Sequence, residues 1–425
     1  MKKTLNHSYV YITGSLIQAL VPFVLIPVLT RQISQSHFGF LMLLISLGTV
    51  LSFGFSLGIP AILPRELIFQ RQKSGQLKSV VFGFQSILIW VSVFILLLSI
   101  FTRRLTDFTL VLLSIALALS LSSIQIKLSI LRAEFKSYEF ALLAIFSTAL
   151  PMLVIASIPF PDRENIGFYY VFSTIIVSFV SNFSKIFVKL DFQTLGQLNS
   201  LISVGFPMIF HGMAISLFQY GDKIASFLGL GSVLTAQVGI ISLFMTAPML
   251  LLSTINNAWL PTVLEVFKTN VAKGFQYLNR SSQYLSIFIT IIAVGLVLFS
   301  KLIVMIFVPS NYNQIEISRA IILGISFSPL YIIYLQNTHL LTISKKFKTL
   351  AKITPWAAVI QFLFTYFFIN YLGLNAAAYG LLIAVLIQVV LTTISTRSFK
   401  NLNKMPFYLT LLLTVFNLVF LRFFI

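Results

Sequence analysis

Apolar runs of about 20 residues, the length a helix needs to cross the hydrocarbon core of a bilayer, follow one another along the whole chain. Six lie near 8–29, 38–60, 79–101, 107–126, 138–158 and 167–186, and six more near 203–228, 233–260, 283–308, 317–343, 350–371 and 374–396. The pattern predicts an all-α polytopic membrane protein with twelve transmembrane helices. A last apolar run at 406–424 is long enough to cross, but Arg422 near its end leaves its status open. Outer gaps are short, and no soluble domain fits between the runs. The gap at 187–202 divides six spans from six, which predicts an N-lobe over 1–190, a C-lobe over 191–400 and an extra membrane helix within 401–425. Two-repeat carriers hold their substrate between such halves. Gly39 and Pro60 bracket the second span much as Gly239 and Pro261 bracket the eighth, a faint internal correspondence.

Charge orients the spans. With the amino terminus in the cytoplasm, the inner gaps carry 21 of the 29 Lys and Arg residues and the outer side carries 8, while the ten acids split evenly. Bases resist translocation and acids contribute little, so this asymmetry predicts a multi-pass membrane protein with its amino terminus in the cytoplasm. At 58% hydrophobic and 9% charged, the chain could not keep a soluble surface polar. A net charge of +19 would suit nucleic acid if gathered on one face, but these bases are dispersed over short loops. The bilayer is therefore the expected partner, not nucleic acid. Absence of cysteine removes disulfides, thiolate catalysis and cysteine metal sites. The first run carries Gln18, Pro22 and Pro27 without a small-residue cleavage site, so it reads as a retained helix.

Catalytic chemistry finds no support. There is no histidine pair at metal spacing, no Gly-rich phosphate loop and no Gly-x-Ser-x-Gly. The outer carboxylates Asp107, Asp162, Glu164, Asp222 and Glu316 are scattered. A non-enzyme without metal or cofactor is expected.

The outer bases are more informative than the inner ones, which topology explains. Arg103, Arg104 and Lys301 fit snorkelling to the interface. Arg31 and Lys223 extend apolar helices facing the expected interlobe cleft, where fixed cations would hold an anionic group such as a pyrophosphate. On span seven, His211, Ile215, Gln219 and Asp222 share a helical face, with His211 and Asp222 about 16 Å apart along it. Ionisable groups at such depth usually face a cavity, which makes His211 and Asp222 candidates for ion coupling; local pairing or a hydrogen-bonded neutral histidine explains them equally well. A polar stripe of Ser122, Gln125, Ser129 and Arg132 on span four reads as the lining of an inner vestibule or as an interfacial helix end. Gly54 and Gly58 form a Gly-x-x-x-Gly pair that predicts close helix packing on span two.

Two stretches carry a resemblance. Gly221-Asp222-Lys223, Phe227-Leu228-Gly229, Val238-Gly239 and Asn256-Asn257-Ala258-Trp259-Leu260-Pro261 form the first. Pro27, Leu29, Thr30, Arg31 and Phe38-Gly39 form the second. They resemble the Wzx-type polysaccharide transporters, bacterial flippases for lipid-linked oligosaccharides within the multidrug/oligosaccharidyl-lipid/polysaccharide exporter superfamily. Lys223 departs from that family's more usual arginine, keeping charge but not bidentate phosphate recognition. The resemblance implies two six-helix lobes in an inverted V, working by alternating access. It implies a place in the bacterial cytoplasmic (inner) membrane and a cargo of undecaprenyl-pyrophosphate-linked oligosaccharide moved to its outer (periplasmic) leaflet for O-antigen or capsule synthesis. A polymerase and a chain-length regulator of the same pathway are implied partners, and H+ or Na+ the implied coupling ion. A cation-exporting drug transporter of the same superfamily would need cavity acids, which are scarce here. A membrane polysaccharide polymerase would need a large outer loop, which is missing.

Overall fold

The computed structural model describes residues 2–69, 74–102, 106–158, 163–183, 192–344, 346–397, 408–409, 412–413 and 415–416. Among these there are helices and turns but no strand. In chain order the helices are α1 (Lys2–Gln32), α2 (Gln35–Phe55), α3 (Ile59–Phe69), α4 (Ser74–Phe101), α5 (Thr106–Ala133), α6 (Ser137–Ser157) and α7 (Arg163–Ser181). They continue as α8 (Phe192–Thr269), α9 (Val271–Leu298), α10 (Ser300–Phe307), α11 (Gln314–Ile325), α12 (Leu330–Ile343), α13 (Phe347–Leu372) and α14 (Asn375–Ser395). The chain forms two compact units, Met1–Ser216 and Leu217–Ile425.

In the first unit α5 packs against α2, α3, α4, α6 and α7, and α1 packs against α6. Lipid tails are as apolar as leucine, so burial alone does not drive helices together; small residues and interhelical hydrogen bonds do. Ser122 accordingly donates to the Ser52 carbonyl at 2.7 Å, and Gln125 Nε2 to Ser52 Oγ at 3.0 Å, joining α5 to α2. Ser92 and Ser120 pair at 2.9 Å, and Gln85 reaches the Ser123 carbonyl at 2.9 Å, joining α4 to α5. In the second unit α14 packs against α11, α12 and α13.

Several predicted boundaries shift. Ten helices among the described residues are long and apolar enough to span a membrane. One of them, Met208–Asn256, has 49 residues. Straight, it would measure about 74 Å, more than twice the hydrocarbon core. α7 contributes a shorter apolar stretch, Asn165–Ser181. The predicted span 317–343 divides into α11 and α12 at a turn ending in Pro329, and 283–308 divides at Phe299. α5 runs seven residues past the predicted end at 126, so Lys127 and Arg132 ride its last turns.

The Gly-x-x-x-Gly reading of Gly54 and Gly58 is overturned. α2 ends at Phe55, and Leu57 and Gly58 are left-handed, with φ of 52° and 70°. Gly58 is therefore a turn residue, and a Cβ there would strike the Gly205 carbonyl. The small-residue seam belongs instead to the first part of α8. Gly205 meets the turn, and Gly212, two helical turns on, meets the Phe53 ring. Pro60 falls in the first turn of α3, where its missing N–H costs nothing, whereas Pro261 lies in the interior of the later part of α8. The faint correspondence between these two prolines therefore has no common local structure. Gly39 is buried in the second turn of α2, and Gly239 is buried in α8. Arg103, Arg104, residues 187–191 of the gap at 187–202 and most of the run at 406–424 lie outside the described residues.

Candidate functional site

α8 breaks once, at Gly231, where φ is 81° and ψ is −171°. Backbone in that region is essentially restricted to glycine. Twenty residues of straight helix would put Asp222 and Ser242 about 30 Å apart. Instead the Ser242 hydroxyl donates to Asp222 Oδ2, so α8 folds back at Gly231 into two antiparallel arms.

The hairpin encloses an acid–base pair. Asp222 is 3% exposed and Lys223 is 7% exposed. Asp222 Oδ1 accepts from the Lys223 backbone N–H at 2.9 Å and from Lys223 Nζ at 3.1 Å. Lys223 Nζ also donates to the Gln219 carbonyl at 3.0 Å and stands 5.2 Å from the Tyr220 ring centroid. Ser226 Oγ donates to the Asp222 carbonyl at 2.5 Å. Two charges withdrawn from water need this degree of mutual satisfaction, because a lone buried charge is strongly destabilising. Lys223 is thus a sealed, paired cation, not an open one.

The other predicted residues are held by separate neighbours. Arg31 is exposed in the last turn of α1, and its Nη1 donates to the Pro27 carbonyl at 2.7 Å. Arg132 is exposed, with its guanidinium 5.2 Å from the Phe140 ring. Gln125 spends its amide N–H on Ser52, while its Oε1 is buried with no hydrogen-bond partner among the described residues. His211 is half-buried, and its Nδ1 likewise has none. The stripe on α5 divides: Ser122 and Gln125 serve helix packing, and Ser129 caps the Ile126 carbonyl at 2.7 Å.

A second buried polar cluster went unread in the sequence. His339 Nε2 lies 2.7 Å from Asn256 Oδ1, and its ring, tilted by 58°, has its centroid 4.3 Å from that of Trp259, whose indole N–H donates to Ser281 at 2.9 Å. Asn337 Nδ2 donates to Thr392 and Thr393 and its Oδ1 accepts from Thr396, joining α12 to α14. Gln336 Nε2 reaches Asn279 at 2.8 Å, joining α12 to α9. The available signal was Gln336, Asn337 and His339 within four residues of an apolar run, since polar groups at membrane depth mark interhelical contacts.

Charges also gather where α4, α5 and α6 end. Glu134 takes Lys78 at 2.6 Å and Lys136 at 3.3 Å, and Lys136 lies 3.7 Å from Glu139. Partial burial by itself would raise the Glu134 carboxyl, but hydrogen bonds and charge from Lys78 and Lys136 outweigh it and hold the group below its ordinary range. Among the described residues no cluster of His, Cys, Asp and Glu could hold a metal ion.

Comparisons with known proteins show the family and the fold. The profile of the family described as polysaccharide biosynthesis protein matches residues 5–267. The fold is similar to that of the lipid II flippase MurJ in an inward closed conformation, with a TM-score of 0.67 at 17% identity, covering 98% of this chain and 92% of that one. It is equally similar to an inward-facing multidrug resistance MATE family transporter of the MOP superfamily, with a TM-score of 0.68 at 14% identity, covering 92% and 97%. A MOP superfamily transporter from Pyrococcus furiosus, described as having a binding pocket of reverse polarity, matches with a TM-score of 0.57 at 14% identity, covering 98% and 95%. No curated protein matches the sequence.

Proposed function

Because the chain belongs to the polysaccharide biosynthesis protein family, we propose that it is a flippase for a lipid-linked oligosaccharide, working by alternating access. The observation that carries this reading is the family match over residues 5–267, set on a fold shared with a lipid II flippase. The cargo is an undecaprenyl-pyrophosphate-linked repeat unit destined for O-antigen or capsule, carried from the inner to the outer leaflet of the cytoplasmic membrane. An amphipathic cargo of this kind needs polar, cationic contacts for its headgroup only, since its tail stays in lipid. Arg31 and Arg132, exposed residues of a type that can form two parallel bonds to phosphate, are the first contacts to test. Lys223 stays paired with Asp222 within the α8 hairpin, and Gln125 ties α5 to α2. His211, and Asp222 on opening of its Lys223 pair during the transport cycle, are the groups through which H+ or Na+ would couple. A polymerase and a chain-length regulator would act on the product outside.

The fold does not separate this reading from drug export, since MATE transporters share it. Family membership favours saccharide cargo, and the Asp222 carboxylate is already neutralised by Lys223 where a cation exporter would keep it open.

The test is the leaflet holding the repeat unit in a deletion strain, probed with an impermeant sugar-modifying reagent. A flippase defect leaves completed repeats inside. Single repeats exposed outside would mean that flipping continues without this chain, and would end the proposal. Purified protein in liposomes should translocate the lipid-linked saccharide without changing its mass. Orientation is checked by single cysteines at Gly75, Lys346 and Ser310, all exposed positions in a chain without native cysteine. The first two should resist an impermeant thiol reagent in intact cells and the third should label.

A further inference from the structure

One exposed face of α9 changes character along its length. Gln276, Arg280, Gln283 and Tyr284 come first, then Ile287, Phe288 and Ile291, all exposed. The opposite face, with Gly274, Leu278, Ser282, Ser286 and Ile289, is buried. The polar part borders a cleft of about 510 Å³ lined by Gln276, Asn279, Arg280, Gln283, Tyr284 and Ile287.

Arg280 is the charge in this cleft. Its Nε donates to the Tyr284 hydroxyl at 3.1 Å, and its guanidinium lies 5.7 Å from the Tyr284 ring. That contact orients the fork and leaves the two terminal nitrogens with no partner among the described residues. Among the described residues lining the cleft there is no carboxylate. The cleft of about 440 Å³ where α4, α5 and α6 meet is different, because there Lys78 and Lys136 are already paired with Glu134 and Glu139. An oriented guanidinium with open N–H donors, flanked by the exposed amides of Gln276 and Gln283, is suited to phosphate oxygens. From Arg280 to Ile291 the helix rises about 16 Å, and along that length the exposed surface turns apolar.

The geometry points to a headgroup site on α9 for a polyprenyl-pyrophosphate lipid, with Arg280 on the phosphates and the tail lying along Ile287, Phe288 and Ile291. The assignment rests on the flippase reading, which supplies the lipid class, and it adds a subsite outside the residues that reading uses. The site would gather cargo from the bilayer before transport.

Native mass spectrometry of the full-length protein tests it, in phosphatidylcholine nanodiscs doped with polyprenyl pyrophosphate or with phosphatidylglycerol. Arg280→Ala should weaken polyprenyl pyrophosphate retention by about tenfold or more, the usual scale for lost charge-assisted hydrogen bonds. Arg280→Lys should recover only part of it, because a point charge replaces the fork. Phosphatidylglycerol binding should not change, and neither should the melting temperature of the exposed-site variants. An equal loss for phosphatidylglycerol would make this a general anionic-lipid contact and overturn the assignment. Unchanged pyrophosphate retention in Arg280→Ala, with repeat export still dependent on the chain, would remove the subsite and leave the flippase reading standing. No retention by the wild type, together with undisturbed export in the deletion strain, would remove both.

Discussion

Ser242 donates a hydrogen bond to the Asp222 carboxylate across the hairpin that turns at Gly231, so one buried acid ties together two helical arms and neutralises the adjacent Lys223. The contact makes the acid–base pair a structural element of the second unit as well as a candidate for coupling.

Breaking that pair should cost more than removing it whole. Asp222→Ala or Lys223→Met alone strands a buried charge and should destabilise by about 3–5 kcal/mol. The double variant Asp222→Asn/Lys223→Met should recover much of that loss, and Lys223→Arg should retain both fold and export. Thermal melting of detergent-purified protein checks this, and additive single effects would contradict the pairing. Arg31→Ala should behave differently, lowering export at normal protein abundance, because its side chain is exposed.

Gly231 should tolerate no side chain, although nothing lies within 4 Å of the position a Cβ would take. The penalty is purely conformational, about 1–3 kcal/mol for Gly231→Ala. Gly295→Ala is the matched control, since it also meets nothing within 4 Å but is helical. It should stabilise by about 1 kcal/mol. Equal melting temperatures for the two variants would refute the hairpin backbone.

Gly54 and Gly58 should separate in the same assay. Gly54→Ala meets only Met213 Sδ at 3.8 Å and should be neutral or mildly stabilising. Gly58→Ala combines a left-handed backbone with a clash on the Gly205 carbonyl and should cost about 3 kcal/mol. Equal losses at both sites would restore the helix-packing stripe.

Glu134 sets an acid limb on stability. Its carboxyl is held below the ordinary 4.5 in the folded state, so its contribution is full above about that pH and is lost as pH falls through the lower folded value. Glu134→Gln should therefore flatten the decline in melting temperature between neutral and strongly acidic pH. An unchanged slope would show that Lys78 and Lys136 do not stabilise the carboxylate.

The amino-acid sequence by itself determined the class of the molecule. Twenty-residue apolar runs can satisfy their backbone in lipid only as helices, so a chain made of them is an all-α membrane protein whatever its packing. Asp222-Lys223, Trp259 and the glycines around them also carried the family resemblance, because they are contiguous and chemically unusual in such a background. Tertiary structure decided what those residues do. Gly58 looked like half of a packing motif because spacing cannot reveal a left-handed φ, and Lys223 looked like an open cation because its pairing depends on the local rotamer and the α8 fold. Asn256 and His339, 83 residues apart, form a hydrogen bond that no periodicity announces. Spacing along one helix is local and readable, whereas the partner of a buried polar group is chosen by helices packing around it.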